Sequence, residues 1–179
     1  MMIFKNKKYK DSFTLIELLM IAGIFILLSA LFLANYDTMQ WQANLDAQTQ
    51  KIVSVLKQAQ AMSLTGQKFG DIKPIGYGVW FKYEGGVDYY ILFADSPIGT
   101  PNLFEANDPI IQTFSLPQSI TLNANEINLV FPVLGEKIYK DGSLLDNAFT
   151  LKLTHLKSTN SKEIKINPYG RIEISSQQQ

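Results

Sequence analysis

Cysteine is absent from this sequence, histidine occurs once and arginine once. Without a thiol there can be no disulfide, no thiolate metal site and no cysteine nucleophile. A single histidine, His155, excludes a multi-histidine metal centre and an acid/base pair built on two imidazoles. The redox compartment stays open, because an exported domain can do without disulfides. A net charge is also missing, with 16 Lys and Arg set against 16 Asp and Glu. A neutral chain has no whole-molecule attraction for nucleic acid or an anionic surface, so such a partner needs a local basic patch. No serine stands in a G-x-S-x-G context and no phosphate loop is present. Gly76-x-Gly78 opens a strand with no helix after it, so it is not a nucleotide fingerprint. The 179 residues suffice for one compact domain plus an anchor, not for two ordinary domains.

What the sequence does have is one long apolar run. Residues 13–34 read FTLIELLMIAGIFILLSALFLA. As a helix they span roughly 33 Å, about the hydrocarbon thickness of a bilayer. A buried soluble helix of this length keeps a polar face, and this one has none. A secretory signal has a shorter apolar region and a small-x-small cleavage site, and here the helical pattern runs on through LFLANYD. Lys5, Lys7, Lys8 and Lys10 flank only the N-terminal side, against the one acid Asp11. The positive-inside rule puts that side in the cytoplasm and the rest of the chain outside it.

Glu17 is the anomaly in this run. A carboxylate near the start of a membrane helix costs at least a few kcal/mol unless it is paired, so it marks function. No Lys or Arg lies between Phe13 and Ala34 to pair with it. The available partner is a free α-amino group at Phe13, on this chain or a neighbour, which exists only if the chain is cut after Ser12.

Ser12-Phe13-Thr14-Leu15-Ile16-Glu17-Leu18-Leu19, after a lysine-rich leader, resembles the class III signal of type IV pilins and type II secretion pseudopilins. In that family a prepilin peptidase cuts on the cytoplasmic side, before the phenylalanine, and methylates the new amino terminus. The glutamate then pairs with the amino terminus of a neighbouring subunit. The resemblance thus implies cleavage between Ser12 and Phe13, N-methylation of Phe13, and an assembly carboxylate at Glu17. Two positions depart from the pattern. Ser12 stands where the family usually has glycine, and Ala34 stands where many members have proline. Without that proline a more continuous helix is expected.

Beyond Ala34 the sequence turns polar but keeps a helical period. Leu45, Thr49, Ile52, Leu56 and Ala59 recur at three- and four-residue spacings, and Val55 and Met62 widen the stripe. Asp46, Gln50, Lys51, Lys57 and Gln58 supply the wet faces. Gly66 is a good C-terminal stop. The expectation is one helix from Phe13 to about Thr65. The alternative is two helices with a joint near Asn35 to Thr38. The stripe covers too few heptads to favour a coiled coil.

From Gln67 the period changes to that of strands. Gly76–Tyr83 and Val87–Phe93 form a hairpin across Glu84-Gly85-Gly86. Further strands are expected at Ile110–Phe114, Ser119–Leu122, Ile127–Phe131, Phe149–Leu156, Glu163–Asn167 and Arg171–Ile174, with Asn167-Pro168-Tyr169-Gly170 as a turn. Eight strands with no intervening helix argue for an antiparallel sandwich or paired sheets laid against the helix. The layout is most similar to the GspH/FimT type of minor pseudopilin. Gln48–Gly66 resembles that type's polar-apolar helix segment, and Lys165–Ile172 its C-terminal strand-turn-strand.

Some FimT-like minor pilins bind DNA through a glycine-arginine-x-arginine motif. Here the segment is Gly170-Arg171-Ile172-Glu173, with an acid that repels phosphate in the second arginine's place. The sequence therefore argues against nucleic acid, and a strand-edge ion pair is the expected job of Arg171. His155 ends the line Phe149, Leu151, Leu153 along one strand face and reads as packing, not as a ligand. Asp95, Glu105 and Asp108 fall in the longest aperiodic stretch, 95–109, whose spacing fits no named calcium loop; the stretch reads as a mobile loop or a partner surface. Trp80, Tyr89 and Tyr90 read as sheet packing, with a polysaccharide patch as the sharper alternative. Arg171 and Trp80 are the weak candidates for ligand contact.

The expected fold class is α+β and pilin-like. A basic leader (1–12) precedes a transmembrane helix (13–34), the outer half of the same helix (35–66) and an antiparallel β-rich domain (67–179). The resemblance implies a non-enzymatic structural subunit of a pilus or secretion filament, without cofactor or metal. Its expected partners are other pilin or pseudopilin subunits, the prepilin peptidase and inner-membrane lipid. The expected location is the bacterial inner membrane, crossed once, with the filament as the destination after assembly. The alternative is a membrane-anchored binding module, a DNA receptor or an adhesin.

Overall fold

The computed structural model describes residues 14–157 and 160–177. One helix, α1 (Leu15–Thr65), is followed by ten strands: β1 (Gly76–Glu84), β2 (Val87–Asp95), β3 (Ile110–Ser115), β4 (Ile120–Leu122), β5 (Ile127–Pro132), β6 (Tyr139–Lys140), β7 (Ser143–Leu144), β8 (Phe149–His155), β9 (Ser161–Ile166) and β10 (Ile172–Gln177). The layout is α+β, as expected. The chain divides into two compact units between Met39 and Gln40.

The first unit is the apolar part of α1. It is long and apolar enough to cross a membrane, and none of that segment is buried within the chain. Leu18, Leu19, Phe25, Ile26 and Phe32 all face outward. Exposed apolar side chains all round a helix have no counterpart in a soluble fold and fit a lipid surround. The helix continues through Asn35 to Thr38 without the joint considered as an alternative. No proline interrupts it there, so no backbone hydrogen bond is lost.

The second unit is built around the remaining turns of α1. Leu45, Thr49, Ile52, Leu56 and Ala59 are all buried, as their spacing predicts, while Gln50, Lys51, Lys57 and Gln58 are exposed. Fully burying each such aliphatic side chain stabilises the fold by roughly 1.5–3 kcal/mol. The helix ends in a Schellman motif. Gly66 takes φ 58°, its N–H donates to Ser63 O at 3.1 Å, and Gln67 N–H donates to Met62 O at 3.3 Å. Ser63 Oγ then donates to Pro132 O at 2.6 Å, tying the helix end to β5.

Two antiparallel sheets share a core with this stripe. One has the order β3-β2-β1-β5-β6-β7 and the other β10-β9-β8-β4. The β1–β2 hairpin turns at Gly85 and Gly86, both at positive φ, as a two-residue turn requires. Its register pairs Tyr77 with Ala94, Val79 with Leu92 and Phe81 with Tyr90. These six residues are buried in the core with Leu129 and Phe131 of β5. From the second sheet, Ile120, Leu151, Leu153, Ile164 and Ile166 join them.

The opposite face of the larger sheet is covered by the aperiodic stretch after β2. Phe104 stacks on Trp80 with ring centroids 4.6 Å apart and meets Phe93 edge-on at 5.0 Å. Its backbone N–H donates to Asn128 Oδ1 at 3.1 Å. Gly78 leaves the space that the Phe93 ring fills, since a Cβ there would lie 2.5 Å from it. The hairpin β6–β7 is an addition to the expected strands. It turns at Asp141 (φ 49°) and Gly142 (φ 76°).

Candidate functional site

Glu17 sits in the first turn of α1. Thr14 is the residue before the helix, and its Oγ1 accepts from the Glu17 backbone N–H at 3.3 Å. Thr14-x-x-Glu17 has capping-box spacing, in which the hydroxyl satisfies an N–H that has no partner within the helix. The carboxylate also lies at the positive end of the helix dipole. Leu15, Ile16, Leu18 and Leu19 around it are exposed. Among the described residues no ion pair reaches Glu17. The first cation downstream of it is Lys51. The site therefore presents a carboxylate, held at a capped helix start, in an apolar surface that offers it no countercharge among the described residues. Ser12 and Phe13, the expected cleavage and methylation residues, lie outside the described residues.

The other candidates fall elsewhere. Arg171 is exposed and pairs with Glu173, Nη2 to Oε1 at 2.6 Å, so the acid two residues on neutralises it. The turn before it is held by Asn167, whose Oδ1 accepts from Tyr169 N–H at 3.0 Å and Arg171 N–H at 2.8 Å. Gly170 (φ 82°) packs so close to Gln60 of α1 that a Cβ would lie 2.5 Å from its Nε2. Asn167 and Gly170 thus build a turn that docks on the helix. Trp80 is half-buried beneath Phe104 and has Lys82 Nζ 5.3 Å from its ring centroid. Tyr90 lies on the opposite sheet face, fully buried. Its hydroxyl has no partner among the described residues, and burial pushes its pKa up to about 12. Trp80 and Tyr90 therefore form no common aromatic patch, because adjacent strand positions alternate faces.

Asp95, Glu105 and Asp108 do approach one another, but chiefly to staple the loop. Asp108 accepts from Ser96 N–H at 2.9 Å and from Glu105 N–H at 2.8 Å. Asp95 Oδ2 accepts from Asn102 N–H at 2.8 Å, while its Oδ1 is buried without a partner among the described residues. Burial, joined by the neighbouring Asp108 and Glu105 charges, pushes Asp95 up to about 6 against the pull of the Asn102 bond. No group of three or more His, Cys, Asp or Glu among the described residues is placed to hold a metal ion.

His155 is buried, as its strand position suggested. Its ring stacks on Trp41 of α1 at 5.5 Å, and its Nδ1 accepts from Lys157 N–H at 3.2 Å. Sequence reading missed the Trp41 contact, since nothing local links positions 41 and 155. It also missed the Thr14 cap, although threonine three residues before glutamate is a legible signal. No protein-family model, curated protein or solved structure matches this chain.

Proposed function

We propose that this protein is a structural subunit of a type IV pilus or type II secretion filament, a minor pilin or pseudopilin, held in the inner membrane until assembly. The observation that carries the reading is Glu17: a carboxylate in an exposed apolar helix whose run, residues 13–34, contains no Lys or Arg. An unpaired carboxylate in hydrocarbon is costly, so a partner must arrive from outside the helix. The Phe13 amino group, freed by cleavage after Ser12, is the cation nearest in sequence. Neutralisation across subunits would draw one helix against the next and let the apolar surfaces bundle. The N-terminus would be cytoplasmic and the β domain outside the cytoplasm, since the lysines flank only the N-terminal side.

Glu17→Gln tests the charge specifically, because glutamine also suits the third position of a capping box. In cells of the source organism the variant should reach the membrane with its β domain folded and fail to enter filaments. Incorporation at the wild-type level would mean that Glu17 only caps the helix.

A further inference from the structure

A cleft opens where the two sheets meet, at the far end of the β1–β2 hairpin. It measures about 340 Å³ and is lined by Tyr83, Asp88, Thr121, Leu122, Asn123 and Asn125. Small-molecule sites run from roughly 300 to 1,000 Å³. Tyr83 and Asp88 are direct cross-strand partners, so they project from one face of the hairpin. The other four residues come from β4 and the turn after it, in the smaller sheet.

The hydrogen bonding of the lining leaves a defined set of free groups. Asp88 is only 5% exposed, and its Oδ2 accepts from Leu122 N–H at 3.0 Å. Its Oδ1 has no donor among the described residues, yet is not sealed from solvent. Asn125 Oδ1 accepts from Tyr83 N–H at 3.1 Å, and Asn123 Oδ1 accepts from Lys152 N–H at 2.6 Å. With both carbonyl ends committed to backbone donors, the two side-chain NH2 groups are fixed in place and have no acceptor among the described residues. Tyr83, at 56% exposed, adds an open aromatic ring.

This set discriminates among ligand classes. No cation lines the cleft and one carboxylate does, so a phosphate or carboxylate ligand is repelled. A metal ion finds a single unspent anionic oxygen, too few for a hard cation that takes six or more oxygens. A vicinal diol carries the matching set of groups: one hydroxyl would donate to Asp88 while its neighbour would accept from an asparagine NH2. The C–H face of a sugar ring would lie on Tyr83. Because the polar groups are held by backbone bonds on paired strands, little ordering entropy is lost when a ligand arrives.

We propose that this cleft is a binding site for a neutral saccharide, so that the domain carries a glycan-contacting surface as well as a place in a filament. The proposal does not depend on the filament reading, since every residue it uses belongs to the second unit.

Saturation-transfer NMR on the full chain in phospholipid nanodiscs tests it, without a glycoside detergent to compete. The probes are lactose, cellobiose and chitobiose at millimolar concentration. At least one should receive saturation from the protein. Tyr83→Ser, which removes an exposed ring outside the core, should weaken that binding about tenfold or more. Asp88→Asn, which keeps an acceptor for Leu122 N–H, should weaken it as well. Absence of transfer to all three sugars overturns the proposal. So does transfer that both variants leave unchanged, which would place the contact elsewhere.

Discussion

The Glu17 amide and the Thr14 hydroxyl meet at 3.3 Å, so the residue that breaks the apolar run is also part of a helix cap. Under the filament reading Glu17 therefore has two separable duties. Its position in the first turn helps to start the helix, and its charge would meet a partner's amino terminus. The second duty alone requires ionisation.

Thr14→Ala should loosen the start of α1 by about 1 kcal/mol, the usual loss for an N-cap hydroxyl. Hydrogen exchange at the Glu17 amide should speed up, and Thr14→Ser should restore protection. Unchanged exchange in Thr14→Ala would show that the hydroxyl does not cap the helix.

Asp95 should make the β domain more stable in mild acid than at neutral pH. Its folded value is about 6 against an ordinary 3.8. Between those values the folded chain holds a proton that the unfolded chain has released, so stability falls as pH rises from about 4 to about 6. The group's contribution is fully present below the unfolded value and lost above the folded one. Asp95→Asn keeps an acceptor for Asn102 N–H and removes the buried charge. It should raise stability above about pH 6 by on the order of 2 kcal/mol, an advantage that shrinks as pH falls. Burial pushes Asp88 in the same direction, but it is present in both chains and cancels in the comparison. Denaturant melts of the two chains across this range measure the difference. Parallel pH profiles would contradict the assignment.

Gly78→Ala should destabilise the domain, because the new methyl would lie 2.5 Å from the Phe93 ring. Overpacking of this kind costs roughly 1–3 kcal/mol. Phe93→Leu should be destabilising alone and partly rescue Gly78→Ala when the two are combined. Additive losses in thermal melts would show that the two sites are not coupled.

The parts of this fold that were legible in the sequence are those with a local signal. The helix stripe from Leu45 to Ala59 follows from its spacing, and the Gly85-Gly86 hairpin from its turn residues. The β6–β7 hairpin was not recognised, since two-residue strands are too short to display a period of two. Asp141-Gly142 was its only local mark. The placing of β1 between β2 and β5 was not legible either, because strand order is decided by tertiary partners. Phe104 illustrates the same limit: an aromatic residue in an aperiodic stretch gives no sign that it will cover Trp80. Glu17 stood out because its neighbours are uniformly apolar. The cleft did not, because Tyr83 and Asn125 are 42 residues apart and meet only through tertiary packing. The ion pair of Arg171 was legible, because its partner Glu173 lies only two positions along the chain, at the start of β10.

The most direct test of the central claim is the mass of the N-terminal peptide of the protein isolated from membranes of its own organism. The filament-subunit account predicts a chain that begins at N-methylated Phe13, the Ser12–Phe13 bond having been cut. A chain that still begins at Met1 would contradict it, because Glu17 would then have no amino terminus to meet.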